Sequence, residues 1–259
     1  MSKIYPNFTA AVTAARQRLI DVGRSVAGDQ WQSRDIKGKP EMVMRETLFF
    51  SFQVGVVTES LKVLRDDIKP NIPWADDHFA ERVGGEPLNP GVQWANWPWG
   101  NSAGTFRDKE GKFSHTYMER MWPSFDGIRY RSGDLSSVVA HLQAHPLSRQ
   151  AYLPIWFPED TGVTHGERVP CTLGYHFIMR DQYLHMSYYI RSCDMVRHFQ
   201  DDIYLAVRLQ LWLLDRLREL DPVWKTVAPG FFAMHITSLH AFKNDLNKYV
   251  KDGKWNDRV

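Results

Sequence analysis

Two thiols, Cys171 and Cys193, are the only cysteines among 259 residues, and their surroundings differ. Cys171 follows Pro170 and opens a stretch in which Leu173, Tyr175, Phe177 and Met179 alternate, the pattern of a strand with one apolar face. Taken alone it is a small core residue, because nothing adjacent in sequence lowers its pKa. Cys193 belongs to Arg191-Ser192-Cys193-Asp194, at the end of the next strand-like stretch. A hairpin of these two strands would set Cys171 beside that tetrad. A thiolate with the forked donors of an arginine at hand is equipment for nucleophilic addition, although an arginine ending a strand is more simply a solvated charge.

Other residues admit two readings each. Glu59 falls in the first turn of a predicted helix, where the macrodipole favours a carboxylate and where a general acid or base is also well placed. Asp201 and Asp202 open a long amphipathic pattern, and either would serve as a cap. His235 and His240, five apart in a predicted strand, lie on opposite faces and lack the helical spacing of a metal pair. Trp94, Trp97 and Trp99 crowd one irregular stretch, as packing anchors or as a platform for a flat ring.

Elements that would position these groups follow from periodicity and punctuation. Asn7 caps a helix whose apolar positions are Ala10, Val12, Ala15, Leu19 and Val22. Glu46 to Phe52 has strand composition, and Thr58 caps a helix from Glu59 to about Ile68, stopped by Pro70. Residues 70–113, rich in proline and glycine, read as a long irregular segment and so as a place for function. Asp134 caps a helix from Leu135 to His145. Strands follow at Ala151 to Phe157, Cys171 to Met179 and Tyr183 to Ile190, the last two joined across Arg180-Asp181-Gln182. A helix from about Asp201 to Leu220 carries Leu205, Leu209, Trp212, Leu213 and Leu217; a strand from Gly230 to Leu239 and a helix from Phe242 to Val250 close the chain. This order predicts an α+β fold, a mixed sheet flanked by helices, in a single domain over residues 1–259.

Composition narrows the function. Net charge is +2, from 32 basic and 30 acidic residues, so neither a nucleic acid nor a membrane surface is expected as a partner, and any anion site must be local. Two cysteines rule out a disulfide framework and a four-cysteine zinc site. No stretch approaches the roughly twenty apolar residues of a membrane span. A cytoplasmic location is expected, with no metal.

The spacing of Pro170-Cys171 and Arg191 to Asp194 resembles thymidylate synthases, in which a Pro-Cys dipeptide opens a strand and the return strand ends in Arg-Ser-Cys-Asp. Pro146-Leu147-Ser148-Arg149 is similar to the family's Pro-x-Ser-Arg, Gln93-Trp94-Ala95-Asn96-Trp97 to its Gln-Trp-x-x-Trp, and Ser238 to Phe242 to its ribose-binding His-x-Tyr segment. The resemblance implies Cys171 as the nucleophile that adds to C6 of a pyrimidine nucleotide, Glu59 as the proton-passing glutamate, and 5,10-methylenetetrahydrofolate as the source of the one-carbon unit. Arg191, Ser192 and Asp194 would hold substrate, His240 the sugar, and Trp94 and Trp97 the folate ring. Arg149 would reach the phosphate in the partner subunit of a homodimer.

Asp202 carries the finer reading. Eight residues after Asp194 thymidylate synthases have an asparagine that accepts from uracil N3–H and donates to O4; here it is aspartate. Cytosine reverses that edge, so a carboxyl that shares a proton with the ring is its complement. The same exchange, with Thr172 after the cysteine, is similar to the deoxycytidylate hydroxymethylases of T-even-like phages, which implies dCMP or CMP as substrate and a 5-hydroxymethyl product for phage DNA modification or a nucleoside antibiotic. Methylation of dCMP, action on dUMP, and a catalytically silent nucleotide- or RNA-binding relative are the rivals. Several positions depart from the family. Gln150 replaces its second arginine, Phe242 its sugar-binding tyrosine, and Val92 stands near another tyrosine; no Arg-Thr-Gly loop is found, with Arg24, Arg34 and Lys37 as substitutes, and Lys251 to Val259 lacks the apolar tail that shields the site from water.

Overall fold

A computed structural model describes residues 2–31, 34–99, 104–122, 135–161 and 168–250; the expected cap Asp134 and the end from Lys251 to Val259 lie outside them. The strands are β1 (Lys3–Tyr5), β2 (Arg24–Val26), β3 (Gln30–Trp31), β4 (Arg34–Asp35), β5 (Met44–Gly55), β6 (Tyr152–Pro154), β7 (Thr172–Arg180), β8 (Tyr183–Asp194) and β9 (Ala228–Phe242). Among the described residues, seven of them form one sheet in the order β1-β5-β9-β8-β7-β6, with β2 also on β5, while β3 and β4 pair separately. The pairs β1–β5 and β8–β9 are parallel and the rest antiparallel, so the expected mixed sheet is present.

The β7–β8 hairpin closes at Asp181 and Gln182, both in the left-handed region at φ 51° and 64°, the geometry of a two-residue turn that matches strand twist. That turn fixes the register, Arg180 opposite Tyr183 and Thr172 opposite Ile190, and so sets the start of β7 beside the end of β8. Cys171 immediately precedes β7, and its carbonyl accepts from Arg191 N–H at 2.9 Å.

The helices are α1 (Phe8–Val22), α2 (Leu61–Ile68), α3 (Trp74–Arg82), α4 (Tyr117–Met121), α5 (Leu135–Ala144), α6 (Phe199–Leu220) and α7 (Lys243–Leu246). Asn7 caps α1 as expected, its side chain accepting from Ala10 N–H at 2.8 Å. α6 buries Ile203, Leu209, Leu213 and Leu217 against Leu184, Met186, Tyr188 and Ile190 of β8 in one core cluster, each fully buried aliphatic contributing about 1.5–3 kcal/mol. Gln210, inside this contact, donates through Nε2 to the Leu184 carbonyl at 2.7 Å, while its Oε1 is buried without a partner among the described residues.

Three expectations are corrected. The helix expected from Glu59 begins at Leu61, because Ser60 caps it by accepting from Val63 N–H, and Thr58 accepts only from Ser60 N–H. Residues 70–113 are not irregular throughout, since α3 carries Asp76 and Asp77 in its first turn and Arg82 in its last, the charge order that suits a helix dipole. The closing helix is a short α7 followed by a 3-10 turn at Asn247–Tyr249.

The sheet face turned away from α6 is open in the single chain. His185 and Phe231 stack there with ring centroids 6.1 Å apart, and Tyr189 and His235 stack at 5.0 Å. Tyr183, Phe231 and Tyr152 remain at least two-fifths exposed, an apolar surface of the kind that usually meets a partner.

Candidate active site

A cavity of about 460 Å³ opens where the ends of β5, β8 and β9 meet α3, the start of α6 and the tryptophan-rich segment. Cys171, Arg191 and Asp202 all line it. Arg191 does more than end a strand. Its Nε donates to the Pro170 carbonyl at 2.9 Å and one terminal nitrogen to the Val169 carbonyl at 3.1 Å, so the guanidinium fixes the Val169-Pro170 backbone that presents Cys171. Burial pushes the Cys171 thiol up; the Arg191 charge opposes this most, Asp202 adds to it, and Arg168 opposes it again. Burial thus favours the thiol, and Arg191 and Arg168 supply the positive charge a thiolate needs.

Adjacent Asp201 and Asp202 have separate roles. Asp201 is locked by Asn71, whose backbone N–H and side-chain amide donate to its two oxygens at 2.8 and 2.7 Å. Asp202, one position round the helix, faces the cavity and keeps part of its surface open to it. Its carboxyl accepts from the Cys193 thiol at 3.6 Å. Burial pushes its pKa up to about 7, with the Arg82 charge pulling the other way and Asp201 reinforcing the rise. Near neutrality this carboxyl both donates and accepts.

The remaining sequence-predicted residues divide. Ser192, Asp194, His240, Trp94 and Trp97 line the same cavity. Asp194 spends its carboxylate on the turn into α6, one oxygen accepting from Val196 N–H at 2.9 Å and Arg197 N–H at 3.0 Å. Trp97 stacks on the His198 ring at 5.0 Å, and Trp94 meets Trp97 edge-on at 5.6 Å. Burial holds His198 down to about 4, so it stacks as a neutral ring.

Glu59 and Arg149 are not in the cavity. Glu59 is paired with Arg218, two guanidinium nitrogens each 2.9 Å from its carboxylate oxygens, and this hydrogen bonding holds its pKa below the usual range. The role expected for it therefore does not fit its position. Arg149 is exposed on the loop after α5, its carbonyl 2.9 Å from His176 Nε2 beside the open sheet face.

Sequence reasoning missed the wall formed by Trp74, His78 and Arg82, one face of α3 at successive i+4 positions. Their spacing was visible, but Pro70 and Pro73 and the surrounding glycines concealed the helix. Tyr117 and Arg168 were also missed; no local pattern marks them. Tyr117 and Tyr188 hydroxyls flank Thr172 Oγ1 at 2.9 and 2.8 Å, a hydroxyl chain directly after the nucleophile candidate.

A mixed sheet that sets two thiols, Cys171 and Cys193, a near-neutral carboxyl and several arginines around a single cavity defines a thiol-bearing site suited to an anionic, ring-bearing ligand. Comparison with known proteins gives the family. Residues 77–251, more than half of the chain, match the family described as Thymidylate synthase, and the chain belongs to it. A putative thymidylate synthase of Methanococcoides burtonii is 26% identical over 140 residues, which make up 54% of this chain and 58% of that protein. The solved thermostable thymidylate synthase A from Bacillus subtilis superposes with a TM-score of 0.67 over 93% of this chain and 84% of that one; at 13% identity this is a likeness of fold. Among the described residues no helix is long and apolar enough to cross a membrane, and no group of three or more His, Cys, Asp or Glu could hold a metal ion.

Proposed function

We propose that this protein is a folate-dependent one-carbon transferase that acts at C5 of a cytosine nucleotide, dCMP or CMP, and releases the 5-hydroxymethyl product. The observation that carries the reading is Asp202, a carboxyl enclosed in the same cavity as Cys171 and poised near pH 7. Cytosine offers an amino donor and a ring-nitrogen acceptor, and only a group that accepts and donates satisfies both. An asparagine there suits uracil equally well in the opposite sense.

Cys171 thiolate adds to C6 of the base, which breaks the ring's conjugation and makes C5 nucleophilic. Arg191, which holds the Pro170-Cys171 backbone, and Arg168 stabilise the thiolate before attack. Asp202 donates its proton toward N3 as charge moves into the ring, and Ser192 and Arg191 face the phosphate. His240 is the sugar's neighbour on β9.

The co-substrate 5,10-methylenetetrahydrofolate supplies the one-carbon unit. The cavity wall suits a flat heteroaromatic ring: Trp94 and Trp97 line it, and Trp94 Nε1 is enclosed without a hydrogen-bond partner among the described residues, a donor left for a bound acceptor. Glu59 takes no part. Of the cavity's carboxylates, Asp194 and Asp201 are engaged by the backbone and Glu46 accepts from Ser238 Oγ, which leaves Asp202, met only by the weak Cys193 thiol donor, as the one most open to a ligand.

A homodimer that buries the open sheet face completes this reading. Arg149 lies beside that face, so a second copy would bring it toward the partner's phosphate site. The test is mass analysis of products from dCMP, CMP and dUMP with methylenetetrahydrofolate, alongside the Cys171→Ala variant. Hydroxymethylated cytosine nucleotide from wild type and none from the variant is the expected result. A methyl product with accumulation of dihydrofolate, turnover of dUMP alone, or undiminished turnover by Cys171→Ala would each overturn it.

A further inference from the structure

Arg82 is a charged side chain that lines the cavity with both its terminal nitrogens unused by the other described residues. Only 7% of its surface is accessible, yet it lines the pocket. Its Nε donates to His78 Nε2 at 3.1 Å, and its guanidinium lies over the Tyr117 ring at 4.1 Å from the centroid. Neither terminal nitrogen has a protein partner among the described residues. With the rest of the side chain enclosed, those donors are left to the cavity that Arg82 lines, where a ligand that accepts from them would take the place of water.

The orientation is built in behind it. Accepting from Arg82 at Nε2 requires His78 to carry its own proton on Nδ1, which faces Glu81 Oε2 at 3.5 Å. Glu81 Oε1 in turn accepts from Gln93 N–H at 3.0 Å, tying α3 to the Gln93-Trp94 segment. His78 stacks on Trp74 at 4.9 Å, and burial holds it down to about 4, so the ring stays neutral and the relay keeps one direction. The approach is close enough that a Cβ on Gly91 would come within 2.4 Å of Glu81 Oε2, which explains a glycine there. Arg82 is thus aimed by a Glu81–His78 pair, as metal- or substrate-facing groups are aimed by their supporting partners.

Arg82 and Asp202 line the same cavity, and the Tyr117 ring under the guanidinium carries a hydroxyl 2.9 Å from Thr172 Oγ1, directly after Cys171, so Arg82 stands on the side of the cavity where the thiol and the base must meet; its charge also opposes the rise in the Asp202 pKa. We infer that Arg82 is a second base-reading residue, whose terminal nitrogens donate to the carbonyl oxygen of the pyrimidine, while Asp202 takes the exocyclic amine and the ring nitrogen beside it. This deepens the proposed function and rests on it. His78 and Glu81 are positioning residues in this arrangement, since they reach the ligand only through Arg82.

The test compares wild type, Arg82→Gln and Arg82→Lys in the full chain, with thermal unfolding as the control for folding. Binding without folate is followed by tryptophan fluorescence for dCMP and for the pyrimidin-2-one deoxynucleotide, which keeps the ring acceptors but lacks the amine. Arg82→Gln is expected to lose roughly tenfold to a hundredfold in affinity, by the same factor for both ligands, as befits loss of a charged hydrogen bond to an acceptor they share. Arg82→Lys should recover part of the loss, having charge without the fork. Where Arg82→Gln does not fold, a several-fold loss in Arg82→Lys carries the result. Folded variants that bind both ligands as tightly as wild type overturn the assignment alone; a wild type that binds neither overturns the nucleotide reading together with it.

Discussion

Replacing Asp202 with asparagine inverts the hydrogen-bonding edge that the cavity offers to a base. On the proposed reading the wild-type carboxyl accepts from the cytosine amine and donates to N3; the amide of Asp202→Asn is set to accept from uracil N3–H and donate to O4. Each buried donor left facing a donor, or acceptor facing an acceptor, costs about 1–3 kcal/mol. Two positions are inverted, so the ratio of dCMP to dUMP affinity should move by roughly 2–6 kcal/mol, about 30-fold to 10⁴-fold toward dUMP. Titration supplies a second signature. Burial pushes the Asp202 carboxyl up to about 7, so the proton-donating form dominates below that pH. Wild-type affinity for dCMP should be level in that range and fall about tenfold per unit above it, whereas Asp202→Asn should be level throughout. Stability has the same sign: the folded pKa is raised, so the contribution is complete below the ordinary value of 3.8 and is lost as pH rises through about 7. A shift of ~3 units sets a ceiling of ~4 kcal/mol, lowered by water that enters the open cavity. Fluorescence titration with both nucleotides, and urea unfolding at about pH 5 and about pH 8, measure these effects. A variant that keeps the wild-type preference for dCMP, or a wild type whose dCMP affinity climbs above neutrality, refutes the role given to Asp202.

Two further outcomes separate this site from the one expected by resemblance alone. Glu59→Gln should leave turnover within about threefold of wild type and cost about 0–1 kcal/mol in urea unfolding, because it breaks only a partly exposed pair with Arg218; loss of proton exchange at C5 would return Glu59 to the chemistry. Mixing inactive Cys171→Ala with inactive Arg149→Ala subunits, after unfolding and refolding together, should restore about a quarter of wild-type activity, since half the dimers then hold one intact shared site; no recovery would place Arg149 outside the partner's cavity.

Much of the architecture was legible because it is local. The alternation of Tyr175, Phe177 and Met179, the Asn7 cap and the turn at Asp181-Gln182 each depend on residues within a few positions and appear where the pattern puts them, whereas Leu173 leaves the buried face at a register shift between Thr172 and Gly174. Pairing of Cys171 with Arg191 was readable for the same reason, since a hairpin converts sequence spacing directly into register. Sequence also marked Asp201 and Asp202 as the start of α6, but could not rank them. That choice is tertiary: Asn71, some 130 residues away, takes Asp201 and leaves Asp202 to the cavity. The first-turn position expected for Glu59 was plausible locally, but Ser60 takes the cap and Arg218, 159 residues away, takes the Glu59 carboxylate. Trp74, His78 and Arg82 join the site only because α3 packs against α6. What sequence determined by itself was the strand and helix inventory and the thiol with its neighbouring arginine; which carboxyl is free, and which arginine faces the base, was decided by long-range packing, because a buried charge is defined by the partners that reach it.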